Sequence, residues 1–216
     1  MNYKEFLETK THNSIDFGIN PYFIHDEMFD FQKYVSEYAI KKGRCAIFLD
    51  TGLGKTIIEL IIASNYVKHT NKPALIITPL AVSYQFLKEA EKFNIEDVEH
   101  TKDGKYSKKI ILINYERLHY LDPSDFDCVI IDEAHDISVA NWEFISKNLP
   151  KRLYGLTATP PNRGEKKQYF NLYCPIRYTK SMDETTGITN KDYEIIVHLI
   201  EPSEKRDIKL KSGKFW

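Results

Sequence analysis

Segment 44–56 constrains the fold of this chain more than any other part of its sequence. Residues 45–49 are a short apolar run, which predicts a buried strand. Gly52 and Gly54 follow and allow a tight backbone turn, and Lys55 then opens an apolar helical pattern. A strand, a glycine-rich loop and a helix start in this order predict a phosphate cradle, because loop N–H groups and the helix N-terminus point at the anion.

The loop matches the phosphate-binding pattern G-x-x-x-x-G-K-[ST] with one departure, since Leu49 stands where the first glycine belongs. In this pattern the Lys55 amine reaches the β- and γ-phosphates, and the Thr56 hydroxyl holds Mg²⁺. The loop residues predicted to surround the phosphates are Thr51, Gly52, Leu53 and Gly54. The same residues fit an ordinary strand-to-helix turn, so the assignment depends on segments farther along the chain.

The composition, 42% hydrophobic and 28% charged over 216 residues, is that of one large soluble domain or one domain with an appendage. A net charge of −1 points to no particular partner, because local patches decide nucleic-acid binding. Three cysteines far apart in sequence predict reduced, packed thiols and a cytoplasmic protein. The lysine- and asparagine-rich usage is typical of an AT-rich genome, so we expect a bacterium or a virus-infected host. The apolar runs are too short to span a bilayer, so we expect no membrane partner.

Strand and helix patterns alternate along the chain. Helical spacing occurs at 25–41, 55–69, 80–93 and 140–148, with a short helix at 168–173, and apolar strand runs occur at 45–49, 74–78, 110–113, 128–131 and 153–160. The lysine-rich stretch 94–109 predicts an exposed hairpin or loop around a short strand. Because the apolar runs lack strict alternation, we predict an α/β fold with a mainly parallel sheet covered by helices on both faces.

The segment Asp132-Glu133-Ala134-His135 follows one of the predicted strands. Ligands of parallel sheets bind at the carboxyl ends of the strands, so these acids can face the phosphate loop. Asp132 would then hold Mg²⁺, and Glu133 would orient and polarise the attacking water. The alternative is a pair of acids that caps the start of a helix.

Three more polar side chains fit the same site. The hydroxyls of Thr157 and Thr159 can hydrogen-bond segment 132–135 and, with His135, couple the nucleotide to the outer surface. The alternative is two β-branched residues that simply fill a strand. The Gln32 amide carries a donor and an acceptor and can read an adenine edge, or it is a solvated helix residue.

In combination, these segments resemble the first motor domain of superfamily 2 helicases and translocases. The matching positions are Gln32 for the adenine-reading glutamine, 49–56 for motif I, Thr78-Pro79-Leu80 and Gln85 for motif Ia, 132–135 for motif II and 157–159 for motif III. The resemblance covers about residues 25–175. The tail is similar to the segment joining two motor domains, mainly in phage-type and restriction-type helicases.

The resemblance implies a RecA-like P-loop domain that binds ATP and Mg²⁺ and grips a nucleic-acid backbone. The partner would be DNA, with RNA as the alternative, and the contact residues would be Pro79, Leu80 and Asn114. Backbone contacts are electrostatic, so the lysines at 102–109 and the group Arg163, Lys166 and Lys167 are further candidates. A solvated surface is the alternative for both basic groups.

The predicted organisation is an N-terminal extension at 1–24, the RecA-like domain at 25–178, and a linker or the start of a second motor domain at 179–216. The family's arginine-rich motif, Q-x-x-G-R-x-x-R, does not follow Thr159. We therefore expect slow hydrolysis by this chain alone, and a second RecA-like domain supplied in cis or by a partner in trans. The alternatives are a nucleotide-gated regulatory module without motor activity and a motor subunit of a restriction or repair nuclease complex.

Overall fold

A computed structural model describes residues 17–181, in which strands and helices alternate. The strands are β1 (Arg44–Leu49), β2 (Ala74–Ile77), β3 (Val98–His100), β4 (Ile110–Ile113), β5 (Cys128–Ile131), β6 (Arg152–Thr157) and β7 (Ile176–Lys180). The α-helices are α1 (Asp30–Lys42), α2 (Lys55–Thr70), α3 (Ser83–Lys92), α4 (Val139–Lys147) and α5 (Gly164–Tyr173). Two 3-10 helices, Tyr115–Tyr120 and Pro123–Asp125, separate β4 from β5.

The strands form one sheet in the order β3-β4-β2-β5-β6-β1-β7, and every pairing is parallel. This confirms the predicted α/β class with a parallel sheet. Strand β1 lies between β6 and β7, and β5 lies between β2 and β6. All carboxyl ends therefore meet at one edge, and only β6 separates the ends of β1 and β5.

Each face of the sheet carries its own apolar core. On one face α1, α2 and α3 bury Val35, Ile61 and Phe86 against the sheet. On the other face α4 buries Trp142 and α5 buries Phe170 against the sheet. Each large side chain removed from water stabilises the fold by about 1.5–3 kcal/mol, so the two layers hold the strand ends in place. Within residues 17–181, every helix is too short or too polar to cross a bilayer.

The helix ends explain how the chain enters and leaves the elements next to the phosphate loop. Helix α1 begins with the Phe29 N–H donating to Gln32 Oε1 at 3.0 Å, which satisfies one of the free N–H groups at a helix start. It ends at Gly43, whose φ of 74° places it in the left-handed region that favours glycine. Helix α2 begins immediately after the loop, at Lys55.

The structure differs from the sequence prediction at one edge strand and two helix starts. Strand β3 is the short strand expected within 94–109, whereas β7 lies outside the predicted strands, because it alternates apolar and polar side chains instead of forming an apolar run. Helix α1 starts at Asp30, later than the predicted start at 25. Helix α5 starts at Gly164, earlier than the predicted start at 168.

Both predicted domain boundaries fall inside the packed structure. Ile19, Phe23 and Ile24 pack against the core, and the Ile19 N–H donates to Ile40 O at 3.0 Å, so the tightly packed part begins before residue 25. The sheet continues to Lys180, beyond the predicted end at 178. The sequence also predicts a strand over 193–200 from its apolar run, and this segment and nearly all of the predicted linker lie outside the described residues.

Candidate nucleotide site

The loop between β1 and α2 has the conformation that a phosphate cradle requires. The Leu53 N–H donates to Asp50 O at 3.3 Å and closes the turn. Gly52 and Gly54 have φ of 88° and 75°, in the region that side chains rarely adopt. A Cβ added to Gly54 would also lie 2.3 Å from Gln32 Nε2. The backbone conformation thus favours glycine at position 54, and a side chain there would displace the Gln32 amide.

The amine of Lys55 lies between this loop and the acidic segment after β5. Its Nζ is 3.4 Å from Leu49 O and 3.3 Å from Glu133 Oε1. The lysine side chain is 10% exposed and that of Glu133 27% exposed, so the pair is partly shielded from water. The structure therefore brings Lys55 and Glu133, predicted from separate motifs, to one point at the sheet edge.

Asp132 is buried at the end of β5 and is held through both carboxylate oxygens. Oδ2 accepts a hydrogen bond from the Thr78 hydroxyl at 2.8 Å, and Oδ1 accepts from the Glu133 N–H at 2.9 Å. Burial raises the pKa of Asp132, while the Thr78 bond acts in the opposite direction. A cation at this carboxylate would favour its charged form.

Glu133 has a left-handed backbone with φ of 43°. For a residue with a side chain this costs on the order of 1–3 kcal/mol, and such strain persists only where surrounding contacts enforce it. Its Oε2 lies 3.4 Å from His135 Nδ1, while Oε1 faces Lys55. The strained backbone thus directs the carboxylate toward the phosphate loop.

His135 connects the acidic segment to the end of β6. Its Nδ1 lies 2.7 Å from Thr157 Oγ1, and the same hydroxyl oxygen accepts from the Thr159 N–H at 3.0 Å. The structure thus places the Thr157 hydroxyl as the sequence predicted, whereas Thr159 contributes its backbone N–H to this network. Lys166, considered for nucleic-acid contact, donates from Nζ to His135 O at 2.6 Å.

Gln32 lies beside the phosphate loop and bonds to protein backbone through both ends of its amide. Nε2 donates to Leu53 O at 3.0 Å, and Oε1 accepts from the Phe29 N–H. The side chain is buried, which excludes the alternative of a solvated helix residue. One amide hydrogen and one lone pair remain for an adenine edge.

Glu59 is a site residue that the sequence reasoning missed. It lies one turn after Lys55 in α2 and is fully buried. Within residues 17–181 neither of its carboxylate oxygens has a hydrogen-bond partner. Burial raises its pKa well above the ordinary value, and nearby Asp132 raises it further. A lone acid within the otherwise apolar run 57–63 was the available signal.

The residues predicted to touch nucleic acid differ in how far their side chains are exposed. Leu80 is 59% exposed and Pro79 half-buried at the end of β2. Asn114 is buried, and its amide nitrogen bonds the Glu116 carboxylate, so any contact from Asn114 would come from its main chain. Lys102 is exposed near the same edge.

The donor atoms of the site fit Mg²⁺. The Thr56 hydroxyl and the Asp132 carboxylate are hard oxygen ligands, and Mg²⁺ is commonly held by one or two carboxylates together with substrate phosphates. No group of three or more His, Cys, Asp or Glu side chains that could hold a metal ion occurs in the described part of the chain. A metal here would therefore depend on the nucleotide for further ligands.

Solved structures of helicases and ATPase cores share this fold. The UvsW helicase from bacteriophage T4 aligns with a TM-score of 0.63 and 16% identity, over 84% of this chain and 68% of that one. The SWI2/SNF2 ATPase core domain of Sulfolobus solfataricus aligns with a TM-score of 0.53 and 26% identity, over 66% and 33%. The fold and the order of the motifs define the N-terminal RecA-like motor domain of a superfamily 2 helicase.

A family model described as "Type III restriction enzyme, res subunit" matches residues 9–162, more than half of the chain. The chain therefore belongs to this family. It is also 27% identical over 207 residues to the ATP-dependent DNA helicase MPH1 of Saccharomyces cerevisiae, and 30% identical over 191 residues to the DNA 3'-5' translocase XPB2 of Sulfurisphaera tokodaii. These matches take in 80% and 83% of this chain but only 21% and 42% of the relatives.

Proposed function

We propose that this chain is the first motor domain of an ATP-dependent DNA helicase or translocase. The observation that carries the proposal is the 3.3 Å approach of Lys55 Nζ to Glu133 Oε1 at the carboxyl edge of a parallel sheet. The match to the family of type III restriction enzyme res subunits, and the likeness to a DNA helicase and a DNA translocase, support the same activity.

The residues of the site have separate tasks in phosphoryl transfer. Loop N–H groups and the start of α2 would bind the phosphates, and the Lys55 amine would neutralise charge at the γ-phosphate. Thr56 and Asp132 would hold Mg²⁺, which when bound offsets negative charge on the phosphate oxygens. Glu133 would accept a hydrogen bond from the attacking water, orient it and take its proton.

The surrounding hydrogen bonds connect this chemistry to the surface. Thr78 joins Asp132 to the end of β2, where Pro79 and Leu80 follow. His135 joins the acidic segment to Thr157. A DNA backbone lying along this edge would touch segments that are one hydrogen bond away from the metal ligand, while adenine would lie near Gln32. RNA remains the alternative partner.

A second RecA-like domain, in cis or from a partner in trans, would supply the arginine that completes the site. Such an arginine raises the rate of related nucleotide hydrolases by on the order of 10³–10⁵. We also propose a cytoplasmic location, supported by Cys45, Cys128 and Cys174, which are buried and unpaired as a reducing compartment allows.

The experiment is an ATPase assay of the full natural protein with single-stranded DNA, duplex DNA or RNA. We expect Mg²⁺-dependent hydrolysis that DNA stimulates. Hydrolysis that none of the nucleic acids changes would contradict a motor function. Nucleotide-dependent DNA binding without turnover would instead favour the regulatory module.

The family match favours one further candidate, a motor subunit of a restriction nuclease complex. In that case ATP hydrolysis by this domain would drive DNA cleavage by a separate nuclease domain or subunit. Cleavage of plasmid DNA by the native complex, purified from its source, would depend on ATP and disappear with Lys55→Ala. Cleavage that survives this substitution would contradict the candidate.

A further inference from the structure

Tyr115 is the first residue of the 3-10 helix that follows β4, and its hydroxyl reaches the acidic segment of the nucleotide site. The hydroxyl donates to Asp132 O and lies 3.2 Å from Glu133 O. A phenolic hydroxyl carries one hydrogen, so the Tyr115 hydroxyl is the donor to these carbonyls. The Tyr115 side chain thus contacts the main chain of Asp132 and of Glu133, the residue that carries the catalytic carboxylate.

These two carbonyls lie on either side of the strained residue. Glu133 has a φ of 43°, which other contacts must enforce. The Glu133 carbonyl already accepts from the Asp136 N–H at 2.8 Å, and a hydroxyl has one hydrogen to donate. Asp132 O is therefore the principal acceptor for Tyr115, and the bond fixes the peptide unit that joins Asp132 to Glu133.

The helix that begins at Tyr115 also brings two cationic side chains together, Arg117 of the helix and Lys102. The Arg117 guanidinium donates to Lys102 O, and both side chains lower the pKa of His100, after burial as the main cause. Lys102 is exposed, and His100 Nε2 is buried without a hydrogen-bond partner in the described part of the chain. Of the acids nearby, Glu116 is engaged by the Asn114 amide, and an Asp103 carboxylate oxygen lies 3.8 Å from the Lys105 amine. Lys102 and Arg117 are the cations at this end of the helix, and the phosphate backbone of a nucleic acid is complementary to them.

We infer that Tyr115 is a positioning residue that couples nucleic-acid binding to the placement of the Glu133 carboxylate. The inference rests on the proposed motor function. Phosphates bound at Lys102 and Arg117 would shift the 3-10 helix, and the Tyr115 hydroxyl would carry that shift to the peptide between Asp132 and Glu133. Because the Glu133 side chain faces Lys55, a small rotation of this peptide changes where the attacking water is held.

The test uses Tyr115→Phe, which removes a single oxygen atom. The matched control is Tyr66→Phe, since the Tyr66 hydroxyl is also buried and also donates to a backbone carbonyl, Ile40 O at 2.7 Å, but in the core under α2. For the full natural protein, kcat is measured with and without single-stranded DNA, and the DNA Kd is measured by fluorescence anisotropy. Allosteric couplings are typically about 5- to 150-fold, so we expect Tyr115→Phe to lower the DNA stimulation factor at least about fivefold at unchanged DNA Kd. Tyr66→Phe keeps the wild-type factor.

A binding measurement provides a readout that does not depend on turnover. Coupling between two ligands is reciprocal, so DNA should tighten the binding of a non-hydrolysable ATP analogue in the wild type, and less so in Tyr115→Phe. An unchanged stimulation factor, an equal fall of kcat with and without DNA, or the same loss in Tyr66→Phe would each overturn the coupling role. A wild-type protein that DNA fails to stimulate would instead overturn the proposed function itself.

Discussion

The amine of Lys55 and the carboxylate of Glu133 lie 3.3 Å apart, although they belong to segments that follow different strands. The parallel sheet produces this approach, because β1 and β5 end at the same edge with only β6 between them. Lysine at the start of α2 and glutamate in a left-handed turn then face each other. From this position the lysine can neutralise charge on the transferred phosphate, and the glutamate can hold the attacking water.

Gly54→Ala should abolish nucleotide binding and destabilise the fold. A left-handed conformation costs an ordinary residue about 1–2 kcal/mol, and the new Cβ would also lie 2.3 Å from Gln32 Nε2. The free energy of unfolding is measured by urea denaturation, and the Kd for Mg·ATP by fluorescence of a labelled nucleotide.

The control for this substitution is Gly164→Ala. Gly164 also has a positive φ, 79°, but a Cβ there meets no atom of residues 17–181 within 4 Å. It should show the backbone cost alone and leave nucleotide binding intact. Equal losses of stability in the two variants would show that the contact with Gln32 contributes nothing to the requirement for glycine.

Gln32→Glu should raise the KM for ATP more than the KM for GTP. The carboxylate keeps an acceptor for the Phe29 N–H but cannot donate to Leu53 O or to an adenine edge. Leaving a buried carbonyl unpaired costs about 1–3 kcal/mol, so the free energy of unfolding should fall by a similar amount. Steady-state kinetics with both nucleotides give the comparison, and an equal rise in the two KM values would contradict adenine reading.

Glu59→Gln should stabilise the protein at neutral pH and change little in acid. Burial raises the pKa of Glu59, so the folded state binds its proton more tightly than the unfolded chain does. The free energy of unfolding then falls as the pH rises above the ordinary carboxyl pKa, and glutamine removes this penalty. Urea denaturation near pH 4 and at about pH 7.5 brackets the window, since an ordinary glutamate titrates near 4.3.

Glu91→Gln is the matched control for this pH experiment, because it removes an exposed carboxylate from helix α3. It should not reproduce the gain of stability at neutral pH. A Glu59→Gln variant that is less stable than the wild type at neutral pH would show that the charged carboxylate is used by the folded protein.

The position of the site could be predicted from sequence because its chemistry depends on strand ends. Apolar runs such as 128–131 are buried on both faces of a parallel sheet, so their pattern is unambiguous, and the polar residues after them mark the ligand edge. The alternation of strands with helices was enough for the fold class.

The remaining features depend on tertiary contacts that leave little trace in sequence. Strand β7 has the burial of an edge strand, with Thr179 exposed and Tyr178 buried, so it resembles polar coil. The hydroxyl of Tyr115 and the amine of Lys166 reach the acidic segment from other elements. From sequence alone, a lysine of a basic stretch that faces solvent cannot be told from one that bonds a carbonyl, as Lys166 does.

The most direct test of the proposed site is Mg·ATP binding and hydrolysis by Glu133→Gln, with Lys55→Ala beside it and Glu143→Gln, an exposed glutamate of α4, as control. With DNA present, Glu133→Gln should lower kcat by about 10²–10⁴ and leave the Kd for Mg·ATP nearly unchanged, since it removes a base and no phosphate contact. Lys55→Ala should weaken nucleotide binding, and Glu143→Gln should behave as wild type. A Glu133→Gln protein that hydrolyses ATP at the wild-type rate, or a Lys55→Ala protein that binds it as tightly, would contradict the convergence of these residues on one magnesium–triphosphate.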